Sequence, residues 1–246
     1  MQIHKTKGIV LRTVKYGETS IITTVYTELF GIQSYIVKGV RQTSKKGSTK
    51  SNFFQTASIL DMEVYHNELK NLQFIKEYQW AVVYRNLFCD VVRNAVAVYI
   101  AEIIQHSLKQ PEANPELYYL LEDVLTAIDK SPSRTVANIP PFFILQLGAL
   151  LGFQIQGTYS ELTPVLDLKE GLFVEQLPSH PFYMQNDAAE TVSLLLNINA
   201  VNELEKMQLN QQARRMLIQS LQQYIALHIQ DFGDLKSYAI LQSILS

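Results

Sequence analysis

Between residues 7 and 80, apolar and polar positions change over in short runs broken by turn residues. "KGIVLRTV" is followed by "KYGETS", where Gly17 suits a tight turn, then by "IITTVYT", rich in β-branched and aromatic residues. A second turn at "LFG" (Gly31) leads into "QSYIVKGV". In "SILDMEVY" the apolar Leu60, Met62 and Val64 alternate with Asp61 and Glu63, the two-residue period of a half-buried strand. "HNELKN" then turns the chain into "LQFIKEY". Five short antiparallel strands in about 80 residues predict a small barrel, of which the OB-fold is the commonest five-stranded type. An SH3-like barrel of similar length fits the same periodicity.

After Trp80 the period changes. "RNLFCDVVRNAVAVYIAEIIQHSL" has helix length and is apolar on most sides. Asn114 and Pro115 mark a helix start ahead of Leu117, Leu121, Val124 and Ile128. "PPFFILQLGALLG" predicts a third helix opening at its prolines and closing at Gly152. Residues 187–198, 210–230 and 234–245 supply three more, with Asp187, Asn210 and Asp234 as caps. "PVLDLKEGLFVEQ" alternates around "KEG" and reads as a lone β-hairpin. The fold class predicted is therefore α+β and multi-domain. Residues 1–80 form an OB-fold barrel, 81–156 with 186–246 a helical domain, and 157–185 a small hairpin region.

Charge sharpens this division. Residues 1–80 hold 11 Lys+Arg against 6 Asp+Glu, and residues 81–246 hold 10 against 17. An anionic partner is expected for the first part. Its cations concentrate in "VKGVRQTSKKGSTKSNFF", which contains Lys38, Arg41, Lys45, Lys46 and Lys50 and no acidic residue. Such a loop beside a barrel face tracks a phosphate backbone, and the flanking Tyr35, Phe53 and Phe54 are candidates for base stacking. A solvated surface loop and core aromatics are the bland alternatives.

Catalytic chemistry finds little support. The five histidines (His4, His66, His106, His180 and His228) nowhere show metal-ligand spacing, and no phosphate-cradling or nucleophile-elbow motif occurs. Asp61 and Glu63 share a strand face where solvent-facing charge belongs. His228 suits capping or packing near a helix end. The single cysteine, Cys89, excludes an internal disulfide, and its surroundings read as a helix interior holding a buried, inert thiol. No apolar run approaches the ~18 residues of a membrane span, and residues 1–30 lack a signal-peptide pattern. A cytoplasmic, non-enzymatic protein is expected.

The stretch "KGIVLRTVKYGETSIITTVYTELFGIQSYIVKGVR" resembles the opening of the RecO family of bacterial recombination mediators. The likeness continues through "YRNL", "LLGF", "LDLKEGLFV" and "YIALHIQDFGDLKSYAILQSIL", in order along nearly the whole chain. It implies an N-terminal OB-fold and a helical domain. It also implies a nucleoid-associated protein that binds single- and double-stranded DNA and anneals complementary strands. Its implied partners are RecR and the acidic C-terminal tail of the single-stranded-DNA-binding protein (SSB), and it acts with RecR to load RecA. Lys38 and Arg41 fall inside matched blocks; Lys45, Lys46 and Lys50 rest on charge and position. Many relatives carry a zinc ribbon with paired cysteines near residues 155–185. This chain has none there, so no zinc and no other cofactor is expected. Relatives also have basic residues where Pro140 and Pro141 stand, which leaves the tail-binding pocket unassigned. An RNA-binding barrel and a protein-interaction adaptor are the alternatives.

Overall fold

The computed structural model describes residues 2–41 and 50–245. Strands β1 (Gln2–Tyr16), β2 (Ser20–Thr27), β3 (Gly31–Val37), β4 (Ile59–His66) and β5 (Leu72–Trp80) close into a barrel in the order β1-β2-β3-β5-β4. All pairs are antiparallel except β3 with β5, which run parallel at Ser34↔Leu72, Tyr35↔Gln73 and Ile36↔Phe74. That parallel seam is the Greek-key closure of an OB-fold and excludes the SH3-like alternative. Val10, Ile21, Val25, Tyr35, Val37, Leu60, Met62 and Val64 fill the interior. Burying such side chains contributes about 1.5–3 kcal/mol each.

The remaining elements are α1 (Val91–Ser107), α2 (Pro115–Lys130), α3 (Ser133–Leu150), β6 (Val165–Asp167), β7 (Leu172–Val174), β8 (Tyr183–Gln185), α4 (Asp187–Leu196), α5 (Gln211–His228) and α6 (Lys236–Ile244). Short 3₁₀ turns occupy Lys50–Phe54 and Val201–Lys206. None of the described helices is long and apolar enough to cross a membrane.

The chain divides into two compact units, Met1–Arg85 with Ala101–Thr126, and Asn86–Ile100 with Ala127–Ser246. In the first, residues 108–122 hold on to the barrel. The Tyr26 hydroxyl donates to the Asn114 carbonyl (3.1 Å), Lys7 Nζ lies 3.0 Å from Glu122 Oε1, and the Tyr119 hydroxyl donates to Glu28. Gly31 has φ +61°, and a Cβ there would stand 2.1 Å from the Glu112 carbonyl oxygen. Only glycine permits so close an approach.

In the second unit α3 is the core. Every residue from Thr135 to Leu145 is buried. The helix begins at Ser133, seven residues ahead of the predicted start at Pro140, and runs through both prolines. A proline inside a helix costs about 3 kcal/mol; burial on all sides offsets it. Its end follows expectation: Gly152 has φ +89°, and Phe153 N–H donates to the Gly148 carbonyl (3.0 Å), a Schellman closure.

Further expectations are corrected. The predicted 85–108 helix starts at Val91, because the Asp90 carboxylate accepts from Arg93 N–H (3.0 Å) and caps it there. Cys89 consequently lies in the preceding turn and is exposed, not buried. The hairpin of β6 and β7 is not alone, since β8 pairs with β6 to make a three-stranded sheet. Of the caps, Asn114 accepts from Leu117 N–H (3.0 Å) and Asn210 from Ala213 N–H (2.8 Å). Asn186 and Leu235 stand where Asp187 and Asp234 were expected.

Candidate nucleic-acid interface

Alternation along the barrel strands sorts the wall into rows. Thr23, Tyr35 and Gln73 are register partners, are all buried and face inward. The next row, Val14↔Ile22↔Ile36↔Phe74↔Tyr65, crosses all five strands with side chains on the outer face. Val14 is 40% exposed, and Ile22, Phe74 and Tyr65 are half-buried. Ile36, in the middle of the row, is 9% exposed, so this outer face carries an apolar stripe that is open mainly at its flanks.

At one end of this stripe lies a cleft of about 460 Å³ lined by Ile36, Phe74, Tyr65, Tyr78, Lys38, Lys50 and Lys76 and, among the described residues, by no carboxylate. Lys38 is exposed at the end of β3, and its ammonium stands 5.7 Å from the Phe74 ring centroid, within cation–π range. Lys50 opens the Lys50–Phe54 turn, which the Thr13 hydroxyl holds on β1 by donating to the Phe54 carbonyl (2.8 Å). Among the described residues no carboxylate comes within 4.0 Å of either lysine. Lys76 differs. Its ammonium is 2.9 Å from Glu63 Oε2, and that hydrogen bond raises the lysine pKa and lowers the carboxylate's.

Arg41, the other family-matched cation, is half-buried and structurally engaged. Its N–H donates to the Thr19 carbonyl (3.1 Å) and its guanidinium to the Gly17 carbonyl (3.1 Å), tying the loop's start to the β1–β2 turn. Lys45 and Lys46 lie outside the described residues.

The aromatic expectations divide. Tyr35 is 0% and Phe54 2% exposed, both in the barrel core, so neither has a ring face for a base, and their stacking role is withdrawn. Phe53 is half-buried and stacks on Trp80 (4.6 Å between centroids, 20°). Tyr65, Phe74 and Tyr78 line the cleft without having been candidates in the sequence. For Phe74 and Tyr78 the signal is the spacing Phe74–Lys76–Tyr78–Trp80 in the last strand, and for Tyr65 its place at the end of the alternating "SILDMEVY".

Around the barrel, Lys5, Lys7, Glu28, Asp61, Glu63 and Glu77 line another cleft of about 500 Å³. Glu63 bridges Lys5 (3.6 Å) and Lys76 there, so this surface neutralises itself and repels added anion. Glu63 is thus part of a surface ion network, while Asp61 accepts from the Gln79 side-chain amide beside it (3.5 Å).

In the second unit, Arg214 and Arg215 border a small cleft floored by Ile218, Leu241 and Leu245. Arg214 Nε donates to Oδ1 of the fully buried Asn138 (3.1 Å) and its Nη2 to the Leu209 carbonyl (3.1 Å). Burial, and secondarily Arg134, hold its pKa below the usual arginine range. Among the described residues no carboxylate lies within 4.0 Å of it.

His228 stacks on Phe153 (5.2 Å, 17°), a packing role. Residues 155–185 contain no cysteine and a single histidine, His180, whose Nε2 lies 3.3 Å from Asp167 Oδ2. Asp167 already accepts from the N–H groups of Lys169 (2.8 Å) and Glu170 (3.1 Å), and the His180 ring nitrogen Nδ1 from Phe182 N–H (3.3 Å). A structural zinc site takes four Cys or His donors; these two do not fit it.

Residues 1–84 match the family described as "Recombination protein O N terminal" and residues 89–239 "Recombination protein O C terminal". Over 245 residues the chain is 30% identical to a DNA repair protein RecO of Azobacteroides pseudotrichonymphae, covering 98% of this chain and 99% of the relative. DNA repair proteins RecO of Christiangramia forsetii and Flavobacterium psychrophilum are each 29% identical, covering 99% and 100% of this chain and the same shares of theirs. With both halves matched and full-length relatives of one name, the chain belongs to the RecO family.

Proposed function

We propose that this protein is a non-enzymatic DNA-binding recombination mediator. It binds and anneals single-stranded DNA, also engages duplex, and with RecR helps load RecA onto SSB-coated DNA in gap and double-strand-break repair. The supporting observation is the carboxylate-free cleft in which Lys38, Lys50 and Lys76 surround Phe74 and Tyr65 on an OB-fold wall. Cations track phosphates while aromatic faces take unpaired bases. Neutralising phosphates on two strands lowers the repulsion that opposes annealing, and no bond is made or broken. Lys45 and Lys46, with Arg41 anchoring the loop's start, belong to the same cation set.

The acidic tail of SSB is assigned to the cleft at Arg214 and Arg215, where an uncompensated, half-buried guanidinium sits beside an apolar floor. No zinc or other cofactor takes part, and the protein acts in the cytoplasm at the nucleoid.

Salt titration of single-strand binding tests the central reading. Each lysine–phosphate contact adds roughly −0.7 to the slope of log K against log[salt]. A Lys38→Glu/Lys50→Glu variant flattens the slope by about 1.4 and slows annealing; an unchanged slope and rate overturn the reading. Paired DNA and RNA oligonucleotides discriminate the RNA-binding alternative, and binding that ignores salt would favour an adaptor.

A further inference from the structure

The outer wall does not end at the first cleft. Two residues along each strand from the apolar stripe lies a second outward row, Arg12↔Thr24↔Ser34↔Leu72. Beyond it, Tyr26 and its register partner Ile32 meet the connection between α1 and α2, and Tyr26 is fully buried. Between wall and connection opens a cleft of about 570 Å³, lined by Thr24 and Ser34 on the wall, Lys70 and His66 from the β4–β5 side, and Lys109 from the connection. Glu68 is its one lining carboxylate. Of the three clefts on the barrel just described, this and the Lys38 cleft carry an excess of lysines over carboxylates. The Lys5–Glu77 cleft carries the reverse.

Both new lysines sit on fixed backbone. Gln73 is 1% exposed; its side-chain amide donates to the carbonyls of Asn67 (2.8 Å) and Lys70 (2.6 Å), while its oxygen accepts from Asn67 N–H (3.0 Å). The β4–β5 turn is thereby locked. The connection carrying Lys109 is pinned by the Gly31–Glu112 approach and the Tyr26–Asn114 hydrogen bond.

We infer that the bound single strand runs along the β3–β5 seam from the Lys38/Lys50 cleft to this second one, where Lys70 and Lys109 hold its far phosphates. From Lys38 to Ile32 the wall offers roughly 20 Å at about 3.3 Å per residue. The half-buried Phe74 receives an unpaired base on the way. Lys109 lies outside the matched N-terminal block, so part of the DNA site is supplied from beyond the barrel sequence.

This inference rests on the reading proposed above, and the test separates the two. An oligo(dT) of about 16 nucleotides, the upper site size for one OB-fold, is titrated with salt against wild type, Lys70→Glu/Lys109→Glu and Lys38→Glu/Lys50→Glu. Each double variant is expected to weaken binding and flatten the slope by about 1.4, and Lys70→Arg/Lys109→Arg to restore both. If only Lys38→Glu/Lys50→Glu has an effect, the extended path is wrong and the first cleft stands. If neither does, both fall.

Discussion

The ammonium of Lys38 stands 5.7 Å from the centre of the Phe74 ring, so one cation and one aromatic of the first cleft already address the same space. A stacked base would share that ring with the lysine, while its phosphate takes the lysine's charge. Replacing Phe74 with Ala is expected to cost about 1–3 kcal/mol in single-strand binding, and much less for duplex, whose bases are not free to stack. Fluorescence anisotropy with an oligo(dT) and a matched duplex measures both; equal losses would refute a stacking role.

On the reading proposed above, Glu63 and the DNA backbone share Lys76 as a partner. In the Glu63→Gln variant that ammonium keeps only its longer contact to Glu77 (3.9 Å), and single-strand affinity should rise, with the salt slope steeper by up to about 0.7. A fall in affinity would mean that the ion pair orients Lys76 for its ligand.

The two aromatics withdrawn from the site make opposite predictions for stability. Phe54→Ala should destabilise the barrel by about 3–5 kcal/mol, as a cavity-forming core change does. Tyr35→Phe removes a buried hydroxyl that has no hydrogen-bond partner among the described residues, so it should be neutral or stabilising. Thermal melting of both variants decides. A marked fall in the melting temperature of Tyr35→Phe would mean that the hydroxyl does find a partner.

His66 stacks face to face on Phe30 at 3.9 Å and lies 6.2 Å from the His4 ring. Burial lowers its pKa, and His4 pushes the same way, against a smaller opposing pull from Glu68. A histidine harder to protonate when folded supports the fold above its unfolded pKa of about 6.5. That support drains away as pH drops through the depressed folded value. His66→Phe should therefore make chemical stability less dependent on pH between about 7 and 5 than in wild type, measured by urea unfolding. Parallel profiles would refute the assignment.

Arg214 is expected to serve the fold as well as a ligand. Removing its side chain leaves the buried Asn138 carbonyl unsatisfied, which costs about 1–3 kcal/mol. Arg215→Ala should leave stability unchanged and weaken binding of an acidic peptide, read by calorimetry and thermal melting together. Full peptide affinity in Arg215→Ala would move the tail site elsewhere.

Much of this was legible along the chain. The two-residue period of "SILDMEVY" is β4, and the turn glycines Gly17 and Gly31 both take positive φ. What stayed hidden depended on distant partners. Pro140 and Pro141 read as a helix start because local propensity cannot register that eleven consecutive α3 residues would be buried. Tyr35 and Phe54 looked like loop-flanking platforms, yet strand alternation turns Tyr35 inward and Thr13 draws the Phe54 turn onto the wall. Phe74 was within reach of the same alternation argument. Its partnership with Lys38, thirty-six positions earlier, exists only once β3 and β5 lie side by side.

The pinch between Gly31 and the Glu112 carbonyl also bears on how the molecule can be dissected. A fragment ending near residue 84 would contain all five barrel strands and still be incomplete. It would bare the Tyr26 ring, strand Lys7 and Glu28 without Glu122 and Tyr119, and lose the clamp on the β2–β3 corner. The compact unit that holds the barrel is a discontinuous one, and excision at the boundary suggested by strand count should yield a sticky, poorly behaved product.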